Sequence, residues 1–260
     1  MAPSRKKLGS LRILVSNDDG IHAPGLKLLT RIAQSLSDDV WVVAPETEQS
    51  AASHSLTVRT PLRMRKLSPR KFAVDGTPTD CVLLGVLHLL KDHQPDLVLS
   101  GINNGSNLAE DIAHSGTVAA ASMGAALGLP SIAFSQTISV GETTRWATAE
   151  TFAPDLIRKL MAAEWQRDSL VNVNFPDKPA SAVKDIVVTH QGRRRRREIV
   201  TESVDPFGRP YYWMGSPRND QATDEDSDIS VVSRGAVSVT PLRLDLTQDK
   251  MLRSMRKVLG

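Results

Sequence analysis

The sequence predicts an α/β protein built on a doubly wound, mostly parallel sheet. In the first half of the chain, short apolar runs alternate with longer segments whose apolar residues recur at helical spacing. The apolar runs at residues 11–17, 39–45 and 95–101 end in polar or turn residues, which is typical of buried parallel strands. Strands that alternate with helices indicate βαβ units, and such units assemble into parallel sheets.

Prolines mark several element boundaries in this half. Pro24 and Pro78 stand where the helices at residues 24–36 and 78–91 begin, a position that proline favours. Pro45 stops the second strand. The other elements predicted in this half are a polar loop at residues 45–55, strand segments at 56–66 and 71–75, a helix of small residues at 115–128 and a strand at 130–136.

The second half of the chain changes character, because short strands rich in turn residues replace the βαβ pattern. Its predicted elements are a helix at 143–164, a strand at 170–176, short strands at 185–190, 197–203, 209–215 and 236–242, and a final amphipathic helix at 247–260. We therefore divide the chain into a disordered tail (1–10), a main α/β domain (11–184) and a β-rich extension with the C-terminal helix (185–260).

Composition excludes several classes of protein. The chain has 260 residues, of which 40% are hydrophobic and 23% charged, so it can bury a core and is not broadly disordered. A single cysteine excludes an intramolecular disulfide framework and a cysteine-rich zinc site. The longest apolar stretch, residues 82–90, is too short to cross a bilayer, and no apolar signal core follows the basic start. We expect a cytoplasmic protein.

The net charge of +3 hides two opposite clusters. Five consecutive arginines, Arg193 to Arg197, are nearly cancelled by acids at residues 220–228, so the basic isoelectric point does not by itself indicate nucleic-acid binding. We expect the arginines to lie in a solvated hairpin or loop. The alternative is a surface that contacts the phosphates of a nucleic acid.

Three oxygen-rich loops follow predicted strands, at the edge where open α/β sheets bind ligands. Asp18 and Asp19 follow the first strand, Ser50 the second, and Asn103 the strand at 95–101. Two adjacent carboxylates repel each other, and a hard divalent cation removes that cost while accepting neutral oxygens as further ligands. The alternative is that Asp18 caps the following helix and Asp19 is solvated.

The predicted helix at 115–128 offers a second candidate site. It begins near Ser115, Gly116 and Thr117, and free backbone N–H groups at a helix N-terminus suit a phosphate. The alternative is an ordinary serine cap. Dinucleotide-binding, P-loop and nucleophile-elbow motifs are all missing from the sequence, which disfavours those enzyme classes.

Taken in order, the loops resemble the SurE family of stationary-phase survival nucleotidases. The resemblance extends from about residue 11 to 247, nearly the whole chain. It is carried by LVSNDDGIHAPG (14–25), VVAPETEQSAASHSLT (42–57), GTPTDCVLLG (76–85), SGINNGSN (100–107), SGTVAAA (115–121), YYWMG (211–215) and VSVTPLRLDLT (237–247).

The resemblance implies a metal-dependent phosphomonoesterase that hydrolyses nucleoside 5′- and 3′-monophosphates, with some members also trimming polyphosphate ends. It implies one divalent metal per subunit, Mg²⁺ or Mn²⁺. It also implies a Rossmann-like catalytic domain with a β-rich extension exchanged between subunits of a dimer or tetramer. The residues that match the family's metal ligands are Asp18, Asp19, Ser50 and Asn103, and those that match its phosphate site are Asn107, Ser115, Gly116 and Thr117. Among them, Asp18 and Asn107 are the expected catalytic residues.

The sequence departs from the family pattern at two places. His114 stands where the family often has tyrosine, and Met123 where it often has glutamate. Neither position belongs to the implied metal site, but the first is expected to alter the substrate pocket. The competing function is a nucleotide-binding sensor without turnover.

Overall fold

The computed structural model describes residues 8–139, 141–194, 199–215 and 224–260. Most of the predicted tail, Arg195 to Arg197 of the arginine run and the first acid of the acidic cluster lie outside the described residues. Within them the chain folds into one large sheet, one separate hairpin and helices on both faces of the sheet.

The described residues form eleven strands. In chain order they are β1 (Arg12–Ser16), β2 (Asp39–Pro45), β3 (Met64–Ser68), β4 (Lys71–Val74), β5 (Leu97–Asn104), β6 (Ser131–Gln136), β7 (Ser169–Phe175), β8 (Ile186–Val188), β9 (Ile199–Val204), β10 (Pro210–Gly215) and β11 (Val237–Arg243).

Nine of these strands form a sheet in the order β3-β4-β2-β1-β5-β6-β7-β11-β8. The strands from β4 to β7 in this order pair in parallel, whereas β3 and β11 join antiparallel to their neighbours β4 and β7. The chain runs outward from β1 to one edge and then returns to place β5 on the other side of β1. The switch point between β1 and β5 is where such sheets bind ligands.

The described residues also form six α-helices: α1 (Pro24–Gln34), α2 (Pro78–Leu84), α3 (Gly116–Ala126), α4 (Trp146–Ala162), α5 (Asp228–Ser233) and α6 (Asp249–Leu259). The buried apolar side chains of α1 and α4 pack on one face of the sheet. Those of α2 and α3 pack on the other face, against β1, β2 and β5. The doubly wound, mostly parallel α/β fold is therefore confirmed.

Several local differences have physical reasons. The segment predicted as a strand at 56–66 pairs only from Met64 onward, since the residues before it are mostly exposed and follow a loop. The helix predicted at 78–91 leaves α geometry after Leu84 and continues as a π-helical turn, Gly85–Leu89. The predicted loop that begins at residue 101 is partly strand, because β5 extends to Asn104 beside β6.

The region after residue 184 does not remain apart from the main sheet. Strands β8 and β11 extend the central sheet beyond β7, and only β9 and β10 form a separate two-stranded hairpin among the described residues. The short helix α5 was not predicted. Ser227 caps it by accepting a hydrogen bond from the Ser230 N–H, and Asp228 within it is fully buried.

Candidate active site

A cavity of about 1250 Å³ opens at the carboxyl ends of β1 and β5, where the chain reverses direction across the sheet. The structure brings six of the eight sequence-predicted site residues into its wall: Asp18, Asp19, Ser50, Asn103, Asn107 and Ser115. The remaining two, Gly116 and Thr117, contact Asp18. Loops that are distant in sequence thus meet at one place, as the parallel sheet requires.

The turn after β1 presents both acids to this cavity. Gly20 adopts a φ of +98°, a conformation that side chains disfavour, and the Asn17 side-chain amide donates a hydrogen bond to the Gly20 carbonyl at 3.1 Å. The backbone N–H of Gln49 donates to the Asp18 carbonyl at 2.8 Å, which ties the turn to the loop after β2. The chain direction changes here, so neighbouring carboxylates can face one cavity.

Asp18 is 4% exposed and is held by the start of α3. The Thr117 hydroxyl donates to Asp18 Oδ1 at 2.5 Å. A Cβ added to Gly116 would lie 2.7 Å from Asp18 Cβ, so only glycine allows this approach of helix to strand end. Burial raises the pKa of Asp18 to about 6, with a smaller contribution from the charge of Asp19, while the Thr117 hydrogen bond opposes the rise.

The side chain of Asp19 is less buried than that of Asp18. It accepts a hydrogen bond from the Asn104 backbone N–H at 3.2 Å. Burial raises its pKa, and the charge of Glu48 adds to the rise. Within the described parts of the chain, neither Asp18 nor Asp19 forms a salt bridge, so no side-chain cation offsets their mutual repulsion. A bound cation would do so.

Two neutral oxygen groups complete the candidate metal site. The Ser50 hydroxyl donates to Glu48 Oε1 at 2.7 Å, and the Asn103 side-chain amide donates to the Gly105 carbonyl at 3.0 Å. The lone pairs of the Ser50 hydroxyl and the amide oxygen of Asn103 are therefore the atoms that can act as ligands. No cluster of three or more His, Cys, Asp or Glu side chains suited to a metal occurs in the described ranges. Two carboxylates with neutral oxygens fit a hard cation such as Mg²⁺.

The N-terminus of α3 lies beside the acids. Ser115 caps the helix by accepting a hydrogen bond from the Val118 N–H at 3.0 Å, so the ordinary capping role considered above is present. The same residue lines the cavity. Since Gly116 and Thr117 both touch Asp18, the positive end of the helix dipole and the carboxylate meet at one point.

Asn107 lines the cavity, and hydrogen bonds to residues of β6 and β7 hold it in place. Its side-chain amide donates to the Ser135 hydroxyl at 2.8 Å. Its backbone N–H donates to Asn174 Oδ1 at 2.8 Å, and its carbonyl accepts hydrogen bonds from the amides of Asn172 and Asn174 at 2.8 and 3.1 Å. These buried asparagines were predicted only as strand residues, yet they fix the position of Asn107.

Part of the cavity wall consists of residues that the sequence did not predict as site residues. That wall includes Asn104, Asp111, Thr144, Trp146, Arg194, Met214 and Gly215. Thr144 and Trp146 come from the segment after β6, whose carboxyl end reaches the same sheet edge, so the rule that located the other loops could have found them. His114 is exposed and lines the cavity, whereas Met123 packs in the core with α2.

The expectation of solvated arginines is wrong for Arg194. Its side chain is 11% exposed and forms a two-pronged salt bridge with Asp111, with Nη1 2.7 Å from Oδ1 and Nη2 2.6 Å from Oδ2. Arg193 is exposed, as expected. The Arg194 guanidinium is therefore paired with the Asp111 carboxylate and largely shielded from solvent, although its neighbour Arg193 is exposed.

The pKa of Asp18 predicts how stability depends on pH when no metal is bound. Because the folded-state pKa is raised above 3.8 to about 6, the folded protein binds a proton more tightly than the unfolded chain, and the resulting stability is lost as pH rises through this window. We expect the protein in EDTA to lose on the order of 2–3 kcal/mol through this group between pH 4 and pH 7.

Thermal unfolding in EDTA at a series of pH values measures this effect. Asp18→Asn should flatten the pH dependence and raise the melting temperature at pH 7, since the buried charge is gone. An unchanged pH dependence in Asp18→Asn would contradict the assignment of the titration to this carboxyl.

Comparisons with known proteins agree with this geometry. The family model described as "Survival protein SurE" matches residues 13–198. The chain is 57% identical over 246 residues to the 5′-nucleotidase SurE of Paramagnetospirillum magneticum, covering 95% of each chain. It is 52% identical over 263 residues to the 5′-nucleotidase SurE of Parvibaculum lavamentivorans, covering 100% of this chain and 94% of the relative.

Solved structures include a close neighbour. The crystal structure of the SurE protein from Aquifex aeolicus superposes with a TM-score of 0.85 at 41% identity, covering 96% of this chain and all of that one. The family match, the full-length relatives and the shared fold lead to one conclusion: the chain belongs to the SurE family.

Proposed function

We propose that this chain is a metal-dependent nucleotidase that hydrolyses nucleoside 5′- and 3′-monophosphates to nucleoside and phosphate. The observation that carries the proposal is the meeting of two carboxylates, neither in a salt bridge with a described residue, with the N-terminus of α3 in one cavity. The pair of carboxylates alone, or the capped start of α3 alone, has an ordinary structural explanation. Together they offer a cation site and an anion site within reach of one phosphate monoester. The names of the full-length relatives support the same activity.

Asp18, Asp19, Ser50 and Asn103 would hold one divalent cation, Mg²⁺ or Mn²⁺. When bound, such a cation polarises a phosphoryl oxygen and lowers the pKa of a coordinated water. The chain prepares for it by burying Asp18 and by holding Asp18 Oδ1 with the hydrogen bond from the Thr117 hydroxyl. A fixed carboxylate needs no reorganisation when the ligands assemble.

The phosphate would rest between Asn107 and the first turn of α3. Asn107 carries a second side-chain N–H besides the one donated to Ser135, and the backbone N–H groups of Gly116 and Thr117 lie at the positive end of the helix dipole. These donors would stabilise charge that develops on the transferring phosphoryl group. Asp18, which touches the start of this helix, would act as a metal ligand and as the base for the attacking water.

Phosphate release from AMP tests the function. The purified protein is freed of metal with EDTA, then assayed with Mn²⁺ or Mg²⁺ against a panel of 5′- and 3′-monophosphates. Hydrolysis that depends on added metal supports the proposal. Binding of AMP without phosphate release under every metal condition would favour the nucleotide sensor.

No helix in the described ranges is long and apolar enough to cross a membrane, and the cytoplasmic location stays a prediction.

We also propose that residues 185–260 mediate assembly into a dimer or tetramer. The hairpin of β9 and β10 pairs with no other strand among the described residues, and its side chains include exposed Tyr212, Trp213 and Met214. An exposed hairpin edge with apolar side chains is a liability unless a partner covers it. Light scattering at micromolar protein should give at least a dimeric mass, and a monomer would contradict the proposal.

A further inference from the structure

The segment that connects Asn107 to the start of α3 is held by side chains from the far end of the sequence. Arg194 Nη1 donates to the Leu108 carbonyl at 3.1 Å, and Gln191 Nε2 donates to the Ala109 carbonyl at 2.7 Å. The Ala109 N–H donates to Asp228 Oδ2 at 2.9 Å. The N–H and C=O groups of Ala109 therefore depend on these residues for their partners, and the Leu108 carbonyl, which also accepts a hydrogen bond from the Asp111 N–H, gains a second donor.

Asp228 connects the segment at 108–111 with the stretch at 191–194. It is fully buried and also accepts hydrogen bonds from the backbone N–H groups of Gly192 and Ile229 at 2.9 and 2.8 Å. A buried carboxylate with three backbone donors is a rigid anchor. The stretch at 191–194 is consequently fixed against residues 108–111.

Arg194 makes the strongest of these contacts. Its guanidinium forms the two-pronged salt bridge with Asp111, and its backbone N–H lies 3.2 Å from Glu110 Oε2. Two-pronged pairs of this kind fix orientation as well as distance. Ala109 needs such support because it adopts a φ of +51°, which is unfavourable for alanine.

We propose that Arg194 is a positioning residue for the phosphate half of the active site. By holding residues 108–111 it fixes the path of the chain from Asn107, which β6 and β7 anchor, to Ser115, and so sets where the start of α3 stands relative to Asp18 and Asn107. The inference rests on the proposed function. It deepens that function by giving one arginine of the run a role in catalysis without contact with the substrate.

The geometry disfavours direct binding of the substrate by Arg194. Both terminal nitrogens of its guanidinium already donate to Asp111, and one also donates to Leu108. The negative charge of Asp111 offsets its positive charge. A phosphate would therefore meet a guanidinium whose charge is already paired with a carboxylate. The metal ligands, in contrast, lie on the loops after β1 and β2 and on β5, whereas the salt bridge of Arg194 is with Asp111.

Arg194→Gln is the main test, with Arg193→Gln as the matched control, because Arg193 is the exposed neighbour. We expect Arg194→Gln to raise KM for AMP and the inhibition constant of inorganic phosphate about tenfold, and to lower kcat severalfold. Mn²⁺ affinity, measured by titration calorimetry without nucleotide, should stay within about twofold of wild type. Arg193→Gln should match wild type in all three.

Asp111→Asn separates positioning from direct contact. If Arg194 acts through Asp111, this variant should reproduce the phosphate defect, and the double variant should be no worse than either single one. Arg194→Lys keeps the positive charge but cannot form the two-pronged salt bridge, so it should restore only part of the phosphate affinity. This variant also provides a test if Arg194→Gln does not fold.

Three outcomes would overturn the inference. They are equal behaviour of Arg194→Gln and Arg193→Gln, parallel loss of Mn²⁺ and phosphate affinity, and intact phosphate affinity in Asp111→Asn. A wild-type protein that releases no phosphate from AMP would instead contradict the proposed function. Binding of inorganic phosphate to the Mn²⁺-loaded protein still tests Arg194 in that case.

Discussion

Replacing either Asp18 or Asp19 by asparagine is expected to abolish nearly all AMP hydrolysis while the protein still folds. Asparagine keeps the size and shape of the side chain but removes one negative charge from the cation site. Loss of a metal-ligand charge should lower kcat/KM on the order of a hundredfold or more, which corresponds to about 3 kcal/mol of transition-state stabilisation. Steady-state phosphate release at saturating Mn²⁺ measures the loss, and circular dichroism checks the fold.

Asp92→Asn is the matched control for these variants. Asp92 is exposed in a turn far from the cavity lining, so the same chemical change there should leave hydrolysis at the wild-type rate. Wild-type protein in EDTA should lose its activity, and Mn²⁺ or Mg²⁺ should restore it. Full activity in Asp19→Asn, or in protein freed of metal, would refute the metal assignment and the function built on it.

The central fold was predictable because its signals are local. Strands β1, β2 and β5 are buried on both faces, so their sequences are continuous apolar runs. The antiparallel addition of β11 to β7 was not predictable, since an alternating strand carries no information about its neighbour. Helix α5 was missed because it has only six residues and begins at the end of an acidic segment, where Asp228 is buried by tertiary contacts.

The candidate site likewise has residues that the sequence predicts and residues whose role depends on tertiary structure. The acids after β1 and the oxygen-rich loops after β2 and β5 could be found because the carboxyl ends of parallel strands meet. Arg194 could not be distinguished in the sequence from its four identical neighbours, because its burial depends on the position of Asp111 in the fold. The role of Asn172 and Asn174 also depends on tertiary structure, since their partner is the backbone of Asn107.

Gly116→Ala is expected to damage activity more than stability. The new methyl carbon would lie 2.7 Å from Asp18 Cβ and 2.9 Å from Asp18 Oδ2, so the carboxylate or the helix start must move. Asp18 is fixed by the Thr117 hydroxyl and by the end of β1, which leaves little room for relaxation. Overpacking of this kind costs about 1–3 kcal/mol, partly offset by the higher helix propensity of alanine.

A shift of the carboxylate by a few tenths of an ångström should lower kcat/KM by about tenfold to a hundredfold, since catalysis depends on the preset position of the charge. Gly124→Ala is the matched control in the same helix. Its methyl carbon would meet the Ser131 hydroxyl and the Val98 side chain, away from the acids, so it should lower the melting temperature yet keep kcat. Kinetics and thermal unfolding of both variants provide the measurement. If Gly116→Ala keeps wild-type activity, or if both variants lose activity in proportion to stability, then close packing of α3 against Asp18 does not set the catalytic geometry.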